Sequence, residues 1–276
     1  MRVDAHQHFW HYDSVRDGWI DHTMALLQRD FLPDDIAPAL RAAGIDAVVA
    51  VQADQSEAET DFLLDLGARY AMIRGVVGWV DLRAPDLAET LMQRRSSPLL
   101  KGFRHIAQSE PDDFLARPEI RAGVSQLGRH AFTFDILIRP SQLAAADLLV
   151  ESCPDVRFVL DHCAKPPITS GDLSDWKRGI QRIARHPNLS CKISGLITEA
   201  RWTQWTASDI LPCLDVTADA FGADRLMFGS DWPVCLLAGE YARVAALVEL
   251  WAARLTGAER ERVFGGTATS VYRLED

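Results

Sequence analysis

The chain has 276 residues, a length that suits one large domain or two small ones. Its 29 basic and 39 acidic side chains give a net charge of −10, which argues against a nucleic-acid binder and against docking on an anionic membrane. The five cysteines are odd in number and show no Cys-x-x-Cys spacing, so neither a disulfide framework nor a zinc knuckle is expected.

No apolar signal core opens the sequence, and no window approaches the roughly 18 apolar residues of a membrane helix. We therefore expect a cytoplasmic protein with no membrane partner. The acidic composition suits a monomer or a small homo-oligomer.

Eight short apolar runs, spread along the whole chain, predict β-strands. They are almost continuously apolar, which is typical of strands buried on both faces of a parallel sheet. The runs are Arg2–His8, Asp46–Gln52, Ile73–Asp81, Lys101–Ile106, Thr133–Arg139, Arg157–Cys163, Leu189–Gly195 and Arg225–Trp232.

Amphipathic stretches between these runs predict helices. Ser56 and Glu59 have the spacing of a capping box, and Thr256 and Glu259 repeat it before a last helix. The predicted helices are Ser56–Ala68, Ala84–Arg95, Ser141–Ser152, Asp172–His186, Ser208–Phe221 and Gly239–Leu255.

About eight strand-then-helix units predict a single (β/α)8 TIM barrel that occupies residues 1–276 as one catalytic domain. An open doubly wound sheet is the alternative, but no Gly-x-Gly-x-x-Gly motif follows the first strand. The long loop from Phe9 to Pro33 follows the first strand and would lie at the catalytic end of the barrel, so we expect it to be functional.

Three strand ends carry polar groups that could converge. His6 and His8 end the first predicted strand, and because they are two residues apart they share one face. A pair of imidazoles can bind a metal ion or hold a substrate oxygen; two chance histidines near a strand end are the alternative.

The sixth predicted strand ends in Asp161 and His162. Alternation favours His162 as the group that faces the pocket and points Asp161 the other way, as a structural residue. A core histidine with satisfied hydrogen bonds is the alternative for His162.

The eighth predicted strand ends in Gly229-Ser230-Asp231-Trp232-Pro233. A carboxylate there can act as a general base or as a metal ligand, and a turn aspartate that caps the next helix is the alternative. Other polar residues at strand ends could line the pocket or merely pack there, namely Arg104 with His105, Lys192, Lys165 and Gln52. The facing of Lys101, Arg104 and His105 stays open.

This ordered set resembles the amidohydrolase superfamily, and within it the amidohydrolase-2 branch that contains sugar lactonases of the L-fuconolactonase and L-rhamnonolactonase type. The resemblance runs through nearly the whole chain. It is carried by Asp4–Trp10, Gly18–Ile20, Lys101–His105, Asp161–Pro166, Lys192–Leu196, Gly229–Pro233 and Thr269–Leu274.

The resemblance implies a hydrolase that opens a sugar lactone of the L-fucono-lactone kind. Many superfamily members hold two metal ions on a carboxylated lysine and a histidine of strands four and five. Here the fifth strand has no histidine and Lys101 lies early on its strand, which argues against a binuclear site. We expect that no metal is required; one Zn²⁺ on His6, His8 and Asp231 is the alternative.

In the mechanism that this implies, Asp231 takes a proton from water, while His6, His8 and His162, with Arg104, hold the lactone carbonyl oxygen. Gln52, Lys165 and Lys192 would read the sugar hydroxyls, and Trp19 and Trp232 would pack on the ring. Two rival functions stay open: a metal-dependent decarboxylase or amide hydrolase of the same superfamily, and a barrel that binds a sugar acid without turnover.

Overall fold

A computed structural model describes residues 1–274, and in it eight parallel strands pair in chain order. A parallel bridge between Gln7 and Trp232, with the amide of His8 donating to the Trp232 carbonyl at 2.7 Å, joins the last strand region to the first. The predicted (β/α)8 barrel is thus confirmed. The strands are β1 Val3–Gln7, β2 Ala47–Val51, β3 Ile73–Gly78, β4 Leu100–His105, β5 Thr133–Ile136, β6 Arg157–Leu160, β7 Leu189–Ile193 and β8 Leu226–Phe228.

One α-helix follows each strand, and two short helices end the described part of the chain. They are α1 Pro33–Ala42, α2 Glu57–Arg69, α3 Leu87–Arg94, α4 Pro118–Arg129, α5 Leu143–Ser152, α6 Ser174–Ile183, α7 Ala207–Phe221, α8 Tyr241–Ala252, α9 Gly257–Glu261 and α10 Thr267–Tyr272. No helix within residues 1–274 combines the length and apolarity needed to span a bilayer.

Apolar periodicity did not predict α1 or α4. Each begins with a proline at its first position, Pro33 or Pro118, followed by acidic residues in the first turn, and this is the signal that predicts them. The predicted capping box at Thr256 is confirmed. At α2 only half of the box forms, because the Glu59 carboxylate bonds to the Ala53 amide and not to Ser56.

Several strands end earlier than predicted, because apolar sequence continues where the ladder has stopped. The strand β6 ends at Leu160 and not at Cys163, and β8 ends at Phe228 and not at Trp232. The residues beyond these ends leave the sheet and turn toward the barrel mouth. Strand alternation therefore does not give the facing of the polar residues in the irregular backbone there, such as His162 and Asp231.

Apolar side chains form two layers. The larger layer lies between the strands and the surrounding helices. The smaller layer fills the N-terminal half of the barrel interior, where α10 contributes Tyr272 to valines and alanines of the strands. Interiors of TIM barrels are packed in this way, so that only the C-terminal mouth is open for a site.

Candidate active site

A β-bulge in β1 turns both histidines of the His-x-His pair into the barrel. Three residue steps from Asp4 to Gln7 match only two steps in β2. An extra residue of this kind shifts the alternation of side chains beyond it. Ala5 therefore packs inside the barrel, and His6 and His8 also lie buried at its mouth.

The chain after β6 brings two successive polar side chains into the site. Val159 packs inside the barrel, so alternation turns Asp161 inward as well. Residues 162–165 then adopt left-handed backbone angles, with φ of 51–54°, and His162 lines the cavity. The prediction that Asp161 points away from the site was wrong, because it treated His162 as part of the strand.

These left-handed angles are unusual for non-glycine residues, which prefer negative φ. A positive φ costs such a residue about 1 kcal/mol or more. Gly195, also left-handed, lies against His162: a Cβ there would be 2.6 Å from Nδ1 of His162 and 3.2 Å from Oδ2 of Asp231. Nδ1 of His162 also lies 2.8 Å from the Ser194 hydroxyl. Burial lowers the pKa of His162 to about 4, so the ring is neutral near pH 7.

Asp231 also has a left-handed backbone, with φ of 60°, and its carboxylate meets three imidazoles. Oδ1 lies 3.3 Å from Nε2 of His8, 3.7 Å from Nε2 of His6 and 3.8 Å from Nε2 of His162. Burial opposes ionisation, but the surrounding imidazoles of His162, His8 and His6 outweigh it and lower the pKa of Asp231. The carboxylate is therefore ionised over the neutral range.

The ring tautomers make this cluster a set of electron donors. Nδ1 of His8 lies 2.8 Å from the Val51 carbonyl, which can only accept, so that nitrogen carries the proton. Nδ1 of His6 lies 3.3 Å from the Asp161 carboxylate, and Nε2 of His6 lies 3.3 Å from Nη1 of Arg104, which can only donate. Burial lowers the pKa of His6, so this geometry favours a neutral ring with its proton on Nδ1. The two Nε2 lone pairs are then only 3.1 Å apart beside Asp231.

Converging lone pairs need a cation or a proton between them. The ligand atoms of His6, His8 and Asp231 all lie within 4.8 Å of one another, and imidazole with carboxylate is a donor set that suits zinc. These three residues therefore fit one divalent ion. Lys101 donates to the Arg273 carbonyl near the C-terminal end of the chain, so it does not extend the set toward a second ion.

A cavity of about 350 Å³ opens above the cluster. Two cations on its wall are fixed by buried or half-buried partners: Arg104 donates to Asp161 at 3.1 Å, and Lys165 donates to Glu199 at 2.9 Å. The wall consists of His8, Arg16, Trp19, Ala53, Asp54, Gln55, Arg104, Ile106, Gln108, Ser109, Leu137, His162, Lys165, Asp231 and Val234.

Most of the predicted site residues come together here, with His6 directly beneath the cavity and fully buried. Three predicted substrate contacts do not lie on the wall. The carbonyl and side-chain oxygen of Gln52 hold Arg104, Lys192 is sealed inside the barrel, and Trp232 packs against buried aromatic rings. We reassign these three as supports of the site.

Sequence reasoning missed several wall residues, chiefly Arg16. It lies in the loop that was expected to be functional, so its position there was a usable signal. Asp54, Gln55 and Gln108 follow strands β2 and β4 as ordinary loop residues, and no signal singled them out. His105 faces outward, stacked on Phe114, and takes no part.

Comparison with known proteins is consistent with this geometry. The amidohydrolase family profile matches residues 3–274. An L-fucono-1,5-lactonase of Burkholderia multivorans is 43% identical over 288 residues, which cover 100% of this chain and 97% of that protein. An L-fucono-1,5-lactonase of Burkholderia ambifaria is 38% identical over 284 residues, covering 100% and 96%. A crystal structure of a Burkholderia multivorans amidohydrolase with bound zinc has 43% identity and a TM-score of 0.96 over both whole chains.

Proposed function

Because the chain belongs to the amidohydrolase family, we propose that it is a hydrolase that opens a sugar lactone to the sugar acid, with L-fucono-1,5-lactone as the first candidate substrate. One observation carries this proposal: an ionised, buried Asp231 faces the cavity at the barrel mouth together with His162 and two fixed cations, Arg104 and Lys165. The two full-length relatives named as lactonases support the substrate class.

Asp231 is the general base of the proposed reaction. Its carboxylate takes a proton from a water molecule as the water attacks the lactone carbonyl, and it later returns the proton to the leaving alkoxide. A positioned base of this kind contributes about 10²–10⁴-fold. The lowered pKa of Asp231 keeps it in the proton-accepting form throughout the neutral range.

Arg104, Lys165 and His162 hold the carbonyl oxygen as negative charge develops on it. Arg104 and Lys165 are positioned by carboxylates before substrate binds, and each fixed donor is worth about 10²–10³-fold. His6 and His8 suit this role less well than the sequence predicted. Their tautomers turn lone pairs, and not N–H groups, toward Asp231. We therefore propose that His6 and His8 bind a cation or accept a proton.

A single divalent ion fits His6, His8 and Asp231, and the related amidohydrolase crystal structure contains zinc. When bound, such an ion would supply Lewis-acid polarisation. We nevertheless propose that hydrolysis does not require it, because a lactone is an activated ester and Arg104 with Lys165 already supplies two fixed donors. Metal removal therefore tests this part of the proposal separately.

The deciding experiment is a pH-indicator assay of ring opening on a panel of 1,4- and 1,5-aldonolactones. The enzyme is used untreated, after exhaustive chelation, and after readdition of Zn²⁺. Turnover that survives chelation supports the whole proposal. Turnover that is lost and then restored by Zn²⁺ supports the lactonase but makes the ion necessary. No turnover on any lactone would overturn the proposal in favour of a decarboxylase or amide hydrolase.

A further inference from the structure

Four buried polar side chains link the C-terminal helix to the floor of the active site; we call them the buried column. The hydroxyl of Tyr272 on α10 donates to Oδ2 of Asp135 at 2.6 Å. The same oxygen accepts from Nζ of Lys192 at 2.6 Å, and that nitrogen lies 3.1 Å from Oδ1 of Asp161. All four residues are 0% exposed.

Asp161, at the top of the buried column, contacts two groups of the active site. Its Oδ1 lies 3.3 Å from Nδ1 of His6, and its Oδ2 accepts from Arg104 at 3.1 Å. One carboxylate thus faces an imidazole, a guanidinium and the Lys192 ammonium at once. Any rotation of Asp161 would change the surroundings of both His6 and Arg104.

Stability alone does not explain this arrangement. Replacing a buried ion pair by apolar residues of similar volume is often neutral or stabilising. Valines, alanines and Met227 fill much of the barrel interior around the column, so apolar residues are compatible with this layer. A buried lysine between two aspartates therefore needs another reason, and the residue at the top of the column supplies one.

We propose that Lys192 and Asp135, tied to Tyr272, are positioning residues that hold Asp161 so that it fixes the Nδ1 proton of His6 and the orientation of Arg104. This inference rests on the proposed function for its link to catalysis. Lys192 holds Oδ1 of Asp161 beside His6, and Asp135 with Tyr272 holds Lys192. Once its proton is fixed on Nδ1, the Nε2 lone pair of His6 faces His8 and Asp231.

The first test observes the tautomer of His6 directly by ¹⁵N NMR of histidine-labelled enzyme, with the signal assigned from a His6→Gln variant. The wild type is expected to show the Nδ1–H form alone. Asp135→Asn and Lys192→Met are expected to show a mixture of both tautomers. An unchanged Nδ1–H signal in folded Asp135→Asn would overturn the proposal. This readout needs no substrate, so it stands even if no lactone is turned over.

The second test separates positioning from structural support by kinetics. Asp135→Asn is expected to lower kcat by about 10–100-fold with KM within twofold, as for other residues that orient a reacting group through a neighbour. The matched control is Asp147→Asn, which neutralises a buried carboxylate on α5 that also bonds a cation at 2.6 Å but lies outside the barrel. Asp147→Asn should leave kcat unchanged.

Tyr272→Phe keeps the proposal falsifiable if the charge variants do not fold, because it removes only one hydroxyl. We expect kcat to fall several-fold, and the double variant with Asp135→Asn to be no slower than Asp135→Asn alone, because both act through Lys192. Fully multiplicative effects of the two substitutions, or a kcat equal to wild type in Tyr272→Phe, would count against the buried column.

Discussion

The two halves of the barrel interior differ in chemistry, and the buried column joins them. The N-terminal half is filled mainly by apolar side chains and α10, whereas the C-terminal half collects the imidazoles, carboxylates and cations of the site. The change coincides with local departures from strand geometry: the bulge in β1, the left-handed residues 162–165, and the left-handed Asp231. The regular parts of the strands thus mainly pack the barrel interior, and the irregular strand ends carry most of the polar groups of the candidate active site.

Asp231→Asn should have the largest effect on the chemistry of the polar C-terminal half of the barrel interior. The amide keeps the shape of the side chain but cannot take a proton from water, so kcat should fall about 10³-fold. The measurement is steady-state lactone hydrolysis, with circular dichroism to confirm the fold. A kcat within tenfold of the wild-type value would show that another group is the base.

The sequence predicts the regular part of this comparison better than the irregular part. Order, number and parallel pairing of the strands follow from apolar runs, and the convergence of His6, His8, His162 and Asp231 follows from their positions at strand ends. Asp161 was misjudged because His162 was taken to continue the strand and to face the pocket by alternation, which turned Asp161 outward. A left-handed turn is decided by tertiary packing around His162, which one sequence does not reveal.

Lys192 illustrates a second limit. Its strand-end position predicted a pocket contact, but it pairs with Asp135, 57 residues away, and that carboxylate bonds Tyr272, 137 residues away. No local pattern links these three residues. Burial of a lysine requires partners, and only the closed barrel identifies them.

Met227→Ala should weaken the apolar half without touching the chemistry. Met227 is fully buried in the inner layer, and removal of such a side chain typically costs about 3 kcal/mol of unfolding free energy. Denaturant unfolding measures this loss, and kcat well below the melting temperature should stay within twofold. Met92→Ala, on an exposed methionine of α3, is the control and should change stability by less than about 0.5 kcal/mol. A large fall in kcat for Met227→Ala would show that the two halves are coupled.

Glu59→Gln tests whether the polar half carries a cost in stability. Glu59 is buried on α2, where it accepts from the Ala53 amide beneath the cavity wall, and burial raises its pKa to about 7 from a usual value near 4.5. Between about pH 4.5 and pH 7 the native state therefore keeps this proton, whereas the unfolded state loses it. The resulting stability is complete below pH 4.5 and is lost as pH rises to about 7, by an amount on the order of 3 kcal/mol.

Glutamine mimics the neutral acid at every pH. The variant should therefore match the wild type near pH 4.5 and be the more stable protein at pH 8. Chemical denaturation of both proteins across this range measures the difference. A constant offset between the two curves, with no dependence on pH, would contradict the raised pKa of Glu59.

Arg16→Met should have the smallest effect, because Arg16 lies at the outer edge of the polar C-terminal half of the barrel interior. Arg16 lines the cavity from the loop after β1 and is held by both oxygens of Asp17. It is far more exposed than Arg104, so we expect it to bind substrate hydroxyls equally in the ground state and the transition state. Loss of one such bond should raise KM about tenfold and leave kcat nearly unchanged, because uniform binding acts on KM alone. Arg29→Met is the control, since Arg29 belongs to the same loop but stacks on Phe31 away from the cavity. A fall in kcat with constant KM would move Arg16 from recognition to the chemistry of the polar half.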